Sequence, residues 1–186
     1  MVSLNPPVCD FGTKAHDFNL PGTDGQNWTL EKCMGKKGLL VMFICNHCPF
    51  VKAIHSRLLR DTAELSKTLG INSVAISSND VKEYPEDSFE NMCLLAKELN
   101  FDFPYLLDES QDIAKKFGPI CTPDFFGYNN RQELQYRGRL DASNKKTAPE
   151  DAKRDLFDAM KQISQTGHGP KQQIASIGCS IKWKKI

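Results

Sequence analysis

The chain is predicted to be an α/β domain, because strand-length apolar runs alternate with amphipathic helices and a cysteine pair stands at the first strand-to-helix junction. The central strand is the uninterrupted run Leu39-Leu40-Val41-Met42-Phe43-Ile44, apolar at every position as expected where both faces are covered. After the cysteines, Val51, Ile54, Leu58, Leu65 and Leu69 recur at helical spacing among charged residues, which predicts one amphipathic helix closed by Gly70. Ile71 to Ser77 then reads as a strand and Ser88 to Leu99 as a second helix, with Phe89, Met92, Cys93, Ala96 and Leu99 inward. Strand, helix, strand, helix in that order favours parallel pairing through crossover connections.

The remaining elements complete a mixed sheet with helices on both faces. Pro21-Gly22-Thr23-Asp24-Gly25 is a tight connection that predicts an N-terminal hairpin extension. Tyr105-Leu106-Leu107 is a short apolar strand, and Ile113 to Phe117 a helical turn ended by Gly118. Phe125 to Tyr128 and Leu134 to Arg139 flank the turn-forming Asn129-Asn130-Arg131, which suits an antiparallel hairpin. A last helix is expected from about Pro149 to Thr166, with Leu156, Phe157, Met160 and Ile163 inward and proline in its first turn. One domain is expected over residues 1–168, followed by an irregular tail at 169–186.

Bulk properties narrow the function. Lys and Arg number 24 against 23 Asp and Glu, a net charge of +1, so no basic excess points to nucleic acid. No window reaches the roughly 18 apolar residues of a membrane span, and the N-terminus lacks a secretory pattern, so a cytosolic protein is expected. Seven irregularly spaced cysteines argue against a disulfide framework and for a reducing compartment.

Cys45-Asn46-His47-Cys48 carries the chemistry. Two thiols three residues apart on a helical first turn close a disulfide with little backbone change. The helix N-terminus favours thiolate over thiol, and His47 can add positive charge or a hydrogen bond. Cys45 is expected to attack and Cys48 to resolve the mixed disulfide. Pro49 complicates that order: if it opens the helix, Cys48 becomes the cap residue and is expected to be more exposed than a resolving thiol usually is. A structural zinc site would need two more ligands at short spacing, and the sequence offers none, so neither metal nor cofactor is expected.

The chain resembles the thioredoxin-like superfamily, in the branch of peroxiredoxin-like and thiol-specific-antioxidant (AhpC/TSA, redoxin) domains. The resemblance covers nearly the whole chain. It rests on the cysteine pair, on Gly12-Thr13-Lys14-Ala15-His16-Asp17-Phe18-Asn19-Leu20, on Asp24-Gly25 and on Gly35-Lys36, with His16 where the family has proline. It implies a thioredoxin-like fold and a thiol-disulfide oxidoreductase exchanging the Cys45-Cys48 dithiol with a protein or small-molecule disulfide, served by a thiol reductant system. It also implies that Thr122-Pro123 is the cis-proline loop that faces the pair and binds substrate. Thioredoxin's tryptophan before the first cysteine and its buried strand aspartate are replaced here by Ile44 and apolar residues. The proton acceptor is therefore open between His47 and Asp124.

Two alternatives remain, a thiol peroxidase and a non-enzymatic redox sensor. The peroxiredoxin pattern Pro-x-x-x-Thr-x-x-Cys fits neither cysteine: Cys48 aligns Cys45 and Val41 with the threonine and proline, and Cys45 aligns Met42 and Gly38. Cys121, two residues before Pro123, is a candidate third redox thiol, whereas Cys179 reaches the site only if the tail packs back. His16, His55 and His168 have no ligand spacing, and Cys33 and Cys93 read as core fillers.

Overall fold

The central strand organises the molecule, and its alternating side chains create two cores. A computed structural model describes residues 3–4, 6 and 9–185. In chain order the elements are β1 (Ser3–Leu4), β2 (Asn19–Pro21), β3 (Asn27–Thr29), α1 (Leu30–Cys33), β4 (Gly38–Phe43), α2 (Pro49–Lys52), α3 (His55–Leu69) and β5 (Ile71–Ser77). There follow α4 (Phe89–Glu98), β6 (Tyr105–Leu107), α5 (Asp112–Phe117), β7 (Cys121–Thr122), β8 (Asp124–Asn129), β9 (Leu134–Gly138), α6 (Asp155–Thr166) and β10 (Gly178–Ser180).

Five strands form the main sheet in the order β6-β5-β4-β8-β9, with β4, β5 and β6 parallel and β8 and β9 antiparallel to their neighbours. The sheet is mixed, as the crossovers and the late hairpin predict. Side chains alternate across a strand. Leu40, Met42 and Ile44 therefore pack with Leu58 and Leu65 of α3 and with Leu156, Met160 and Ile163 of α6. Leu39, Val41 and Phe43 face the other way, onto Leu30 and Cys33 of α1 and Ile113 and Phe117 of α5. Each buried side chain of this size contributes about 1.5–3 kcal/mol, so β4 is an anchor for both layers. The expected N-terminal hairpin is β2 paired with β3.

Three expectations need correction. The helix after the cysteines is broken into α2 and α3, because a tight turn at Ala53 and Ile54 interrupts it, with Ile54 N–H bonding Val51 O at 3.1 Å. The amphipathic pattern spans both pieces, and Val51, Ile54, Leu58 and Leu65 are buried in one core. Helix α6 starts at Asp155 rather than near Pro149; Pro149 accepts from Ala152 in a separate turn, and Arg154 reaches across to Asp61 and Glu64. On α4 only Met92 is fully buried, and Phe89 and Leu94 face solvent, so this helix lies shallowly on the sheet edge.

The C-terminal segment is mostly irregular, and it is docked. Its strand β10 runs antiparallel between β1 and β7, with Cys179 opposite Thr122 and Ser180 opposite Cys121. The approach is tight: a Cβ on Gly178 would lie 2.0 Å from the Thr122 carbonyl oxygen. Gly178→Ala is accordingly expected to push β10 off β7 and to cost about 1–3 kcal/mol, as overpacking does. Urea denaturation checks this; an unchanged midpoint would show that β10 tolerates the displacement.

Candidate active site

Strand β4 delivers the cysteine pair just past its own C-terminal end, in the middle of the sheet, where three other segments close over it. Cys48 is the N-cap of α2 and Pro49 its first residue, as Pro49 suggests. The exposure expected of a capping cysteine is not found: Cys45 is 1% and Cys48 0% exposed. The loop Cys121–Pro123 and strand β10 cover the pair, and no local pattern around Cys48 foretells that cover. The Thr122-Pro123 peptide bond is cis.

Cys45 and Cys48 are free thiols with different surroundings. Cys45 Sγ is 3.4 Å from Thr122 Oγ1 and 4.0 Å from His47 Nδ1. Cys48 Sγ lies 3.1 Å from the Thr122 carbonyl oxygen, to which it donates when protonated, and 3.2 Å from Cys179 Sγ. Donation from Cys45 lowers the pKa of Cys48, against the effect of burial, and Thr122, Cys179 and the Val51 backbone N–H lower it further. The same bond, followed by burial and the charge of Asp87, raises Cys45 well above the ordinary thiol range. These effects favour ionisation of Cys48, the N-cap of α2, over that of Cys45.

A residue absent from the sequence reading organises the intervening turn. Asp87, fully buried in a 3-10 turn at Pro85–Asp87, accepts from the backbone N–H groups of Asn46 (2.8 Å) and His47 (3.2 Å) through Oδ1. Its Oδ2 takes His47 Nδ1 at 2.7 Å and Asn79 Nδ2 at 2.8 Å. Tyr105 donates its hydroxyl to Asn46 Oδ1 at 2.9 Å. The buried acid missing from β4 is therefore supplied from a distant turn, clamping both residues between the cysteines. Forty residues separate Asp87 from His47, and no local spacing marks it; the only sequence hint is its place beside the capping Ser88 of α4.

His47 is committed to that carboxylate. Its hydrogen bond to Asp87 raises its pKa, outweighing burial, while burial of Asp87 is outweighed by its donors and its pKa is lowered. For stability the signs differ. The Asp87 contribution is present above the ordinary carboxylate pKa and lost as pH falls through the depressed one; that of His47 is present below about 6.5 and lost as pH rises through the raised value. Asp87→Asn is expected to lower the His47 midpoint, a change read directly by NMR titration of the imidazole. An unmoved midpoint would contradict the pairing.

Cys45, His47 and Asp87 place three potential ligand atoms within 4.8 Å of one another. Two donors on tetrahedral zinc, each at about 2.0–2.1 Å, are roughly 3.3 Å apart. The 2.7 Å between His47 Nδ1 and Asp87 Oδ2 is a hydrogen-bond distance, and the carboxylate is already filled by four donors. The cluster is built around the His47–Asp87 hydrogen bond.

Of the other sequence candidates, Asp124 is buried but turned to Arg137 (3.0 Å) and the Ile120 N–H (3.1 Å), so its hydrogen bonds lead away from the pair. Cys121 Sγ bonds the Pro123 carbonyl at 3.4 Å. Neighbouring residues of a strand point to opposite faces; Thr122 faces the pair, and the sulfur touching Cys48 is that of Cys179. Arg131, Arg137 and Arg139 pair with Glu133, Asp124 and Asp155 respectively.

A mixed sheet covered on both faces, a cis-proline loop and two cysteines at a strand-to-helix junction define a thioredoxin-like redoxin domain. The AhpC/TSA family model matches residues 11–140, and the chain belongs to the AhpC/TSA family. No curated protein matches it. Among solved structures, an uncharacterized conserved protein from Geobacillus kaustophilus is 39% identical, with 99% of this chain and 97% of that one covered and a TM-score of 0.92. A hypothetical protein from Sinorhizobium meliloti 1021 is 36% identical over 97% of both chains, with a TM-score of 0.90. A thiol-disulfide oxidoreductase from Bacteroides fragilis, 19% identical over 67% of this chain and 89% of its own with a TM-score of 0.56, shares the fold. Among the described residues no helix is long and apolar enough to cross a membrane.

Proposed function

We propose that the protein is a thiol-disulfide oxidoreductase in which Cys45 attacks a protein or small-molecule disulfide and Cys48 resolves the product. The observation that carries this reading is the geometry of two free thiols three residues apart under a cis-proline loop, Cys45 Sγ 3.4 Å from Thr122 Oγ1 and Cys48 Sγ 3.1 Å from the Thr122 carbonyl, with the pKa of Cys48 lowered and that of Cys45 raised. Cys48 is then the proton acceptor that the sequence leaves open. As Cys45 Sγ bonds to one sulfur of the substrate, its proton passes to Cys48, and the other substrate sulfur departs as thiolate. The new Cys48 S–H is held by the Thr122 carbonyl, 3.1 Å away. In the second step Cys48 attacks Cys45, closes the Cys45-Cys48 disulfide and gives its proton to the second leaving sulfur. One dithiol is oxidised and one disulfide reduced.

The cis-proline loop, Thr122 and Pro123, lies over the pair and is the substrate contact in this reading, reached beside β10, which pairs with the Cys121–Thr122 backbone. His47 and Asp87 fix the intervening turn and set the local charge. An external thiol system returns the disulfide to dithiol, which suits a reducing compartment such as the cytosol.

A thiol peroxidase is the competing reading, favoured by membership of the AhpC/TSA family. Stopped-flow mixing of the reduced protein with hydrogen peroxide or with a disulfide such as oxidised glutathione separates the two. Exchange is expected to outrun peroxide oxidation at equal concentration. A rapid, saturating loss of thiolate with peroxide alone would overturn the proposal.

A further inference from the structure

Cys48 Sγ has a neighbouring sulfur from outside the motif. Beyond its partner in the motif stands Cys179, on strand β10, with Sγ at 3.2 Å and 1% exposure. This contact comes from the strand pairing, which sets Cys179 directly opposite Thr122. The strand has no slack there, since even a Cβ on Gly178 would collide with the Thr122 carbonyl. A disulfide is about 2.05 Å long, so the 3.2 Å gap exceeds a bond by about 1.2 Å.

We propose that Cys179 is a third redox thiol, which exchanges with the Cys45-Cys48 disulfide to form a Cys48-Cys179 disulfide. This inference rests on Cys45 and Cys48 being the redox pair. In the step, Cys179 Sγ attacks Cys48 Sγ, the Cys45-Cys48 bond breaks and the Cys48-Cys179 bond forms. Cys45 leaves with the electron pair and takes the proton of Cys179. No outside oxidant enters, because one disulfide replaces another. Cys45 is restored as a thiol at the substrate position, and the oxidising equivalents move to β10. An external reductant then acts on a disulfide of which one half lies 131 residues from the motif.

Disulfide mapping of the full-length protein tests this. Wild type, Cys45→Ser and the double variant Cys45→Ser/Cys179→Ser are reduced, oxidised with diamide or oxidised glutathione, quenched with acid and N-ethylmaleimide, and mapped without reductant. Circular dichroism verifies that each is folded. Wild type is expected to yield Cys45-Cys48 and Cys48-Cys179 peptides together, and Cys45→Ser the Cys48-Cys179 peptide. With oxidised glutathione, the double variant is expected to retain at least ten times more glutathione on Cys48 than Cys45→Ser does, because Cys179 no longer displaces it. If wild type closes Cys45-Cys48 fully while Cys48-Cys179 is found in neither protein, the inference is overturned and the proposed function stands. If wild type forms no Cys45-Cys48 bond, the proposed function fails, and the exchange step fails with it.

Discussion

Cys45→Ser is expected to reduce turnover of a disulfide substrate to background, a loss of roughly 10³-fold or more, as befits removal of an attacking group. Cys48→Ser is expected to lose turnover as well, but by a different route. Cys45 still attacks slowly, the mixed disulfide has no resolving thiol at Cys48, and the substrate stays attached to Cys45. The two variants therefore separate in a non-reducing gel or intact-mass measurement: Cys48→Ser carries substrate, and Cys45→Ser does not carry it at residue 45. Insulin reduction driven by a dithiol gives the rates. Retention of wild-type rates by either variant would remove the pair from the mechanism.

The second large effect concerns ionisation. The reduced protein is expected to hold one thiolate at pH 7, with its absorbance step near 240 nm well below the ordinary thiol range of about 8.5. Cys48→Ser is expected to abolish that step, leaving Cys45 protonated at neutrality because burial and the Asp87 charge still oppose its ionisation. The sign for stability follows from the depressed pKa of Cys48. The contribution to the reduced fold is complete above the ordinary thiol pKa and is lost as pH falls through the depressed value. Each unit of depression favours the dithiol over the disulfide by about 1.4 kcal/mol, or about 30 mV, so the pair becomes a better oxidant. An absorbance step near 8.5 in the wild-type protein would contradict the charge distribution.

Much of this architecture was legible because it is written in local periodicity. The run from Leu39 to Ile44 reads as a doubly covered strand, and its alternate residues do enter the two cores. Ile71–Ser77 and the hairpin of β8 and β9 carry their own turn residues, and the helix ending at Leu69 carries Gly70, which adopts φ 66°. Boundaries failed where a tertiary contact decides them. Pro149 looks like a helix opener, yet the chain turns once more before Arg154 engages Asp61 and Glu64.

The site was legible to the same extent. Cys45, His47, Cys48 and the Thr122-Pro123 loop are marked by spacing and resemblance, and the fold brings them together. What the sequence could not display is contact across long separations. Asp87 holds the turn between the cysteines from 40 residues away, and Cys179 meets Cys48 across 131. Cys121, nearer in sequence to the proline, was the more obvious third thiol. The pleat of β7 turns it from the pair and gives that position to the opposing strand.

The most direct test of the central claim is a redox titration of the wild-type protein in glutathione or dithiothreitol buffers, with the Cys45-Cys48 peptide quantified by mass spectrometry. The expected result is a reversible two-electron transition of that peptide, with a midpoint in the span of roughly −270 to −120 mV occupied by thioredoxin-fold dithiols. If no buffer converts Cys45 and Cys48 to a disulfide with each other, the two cysteines are not a redox pair and the proposed function is wrong.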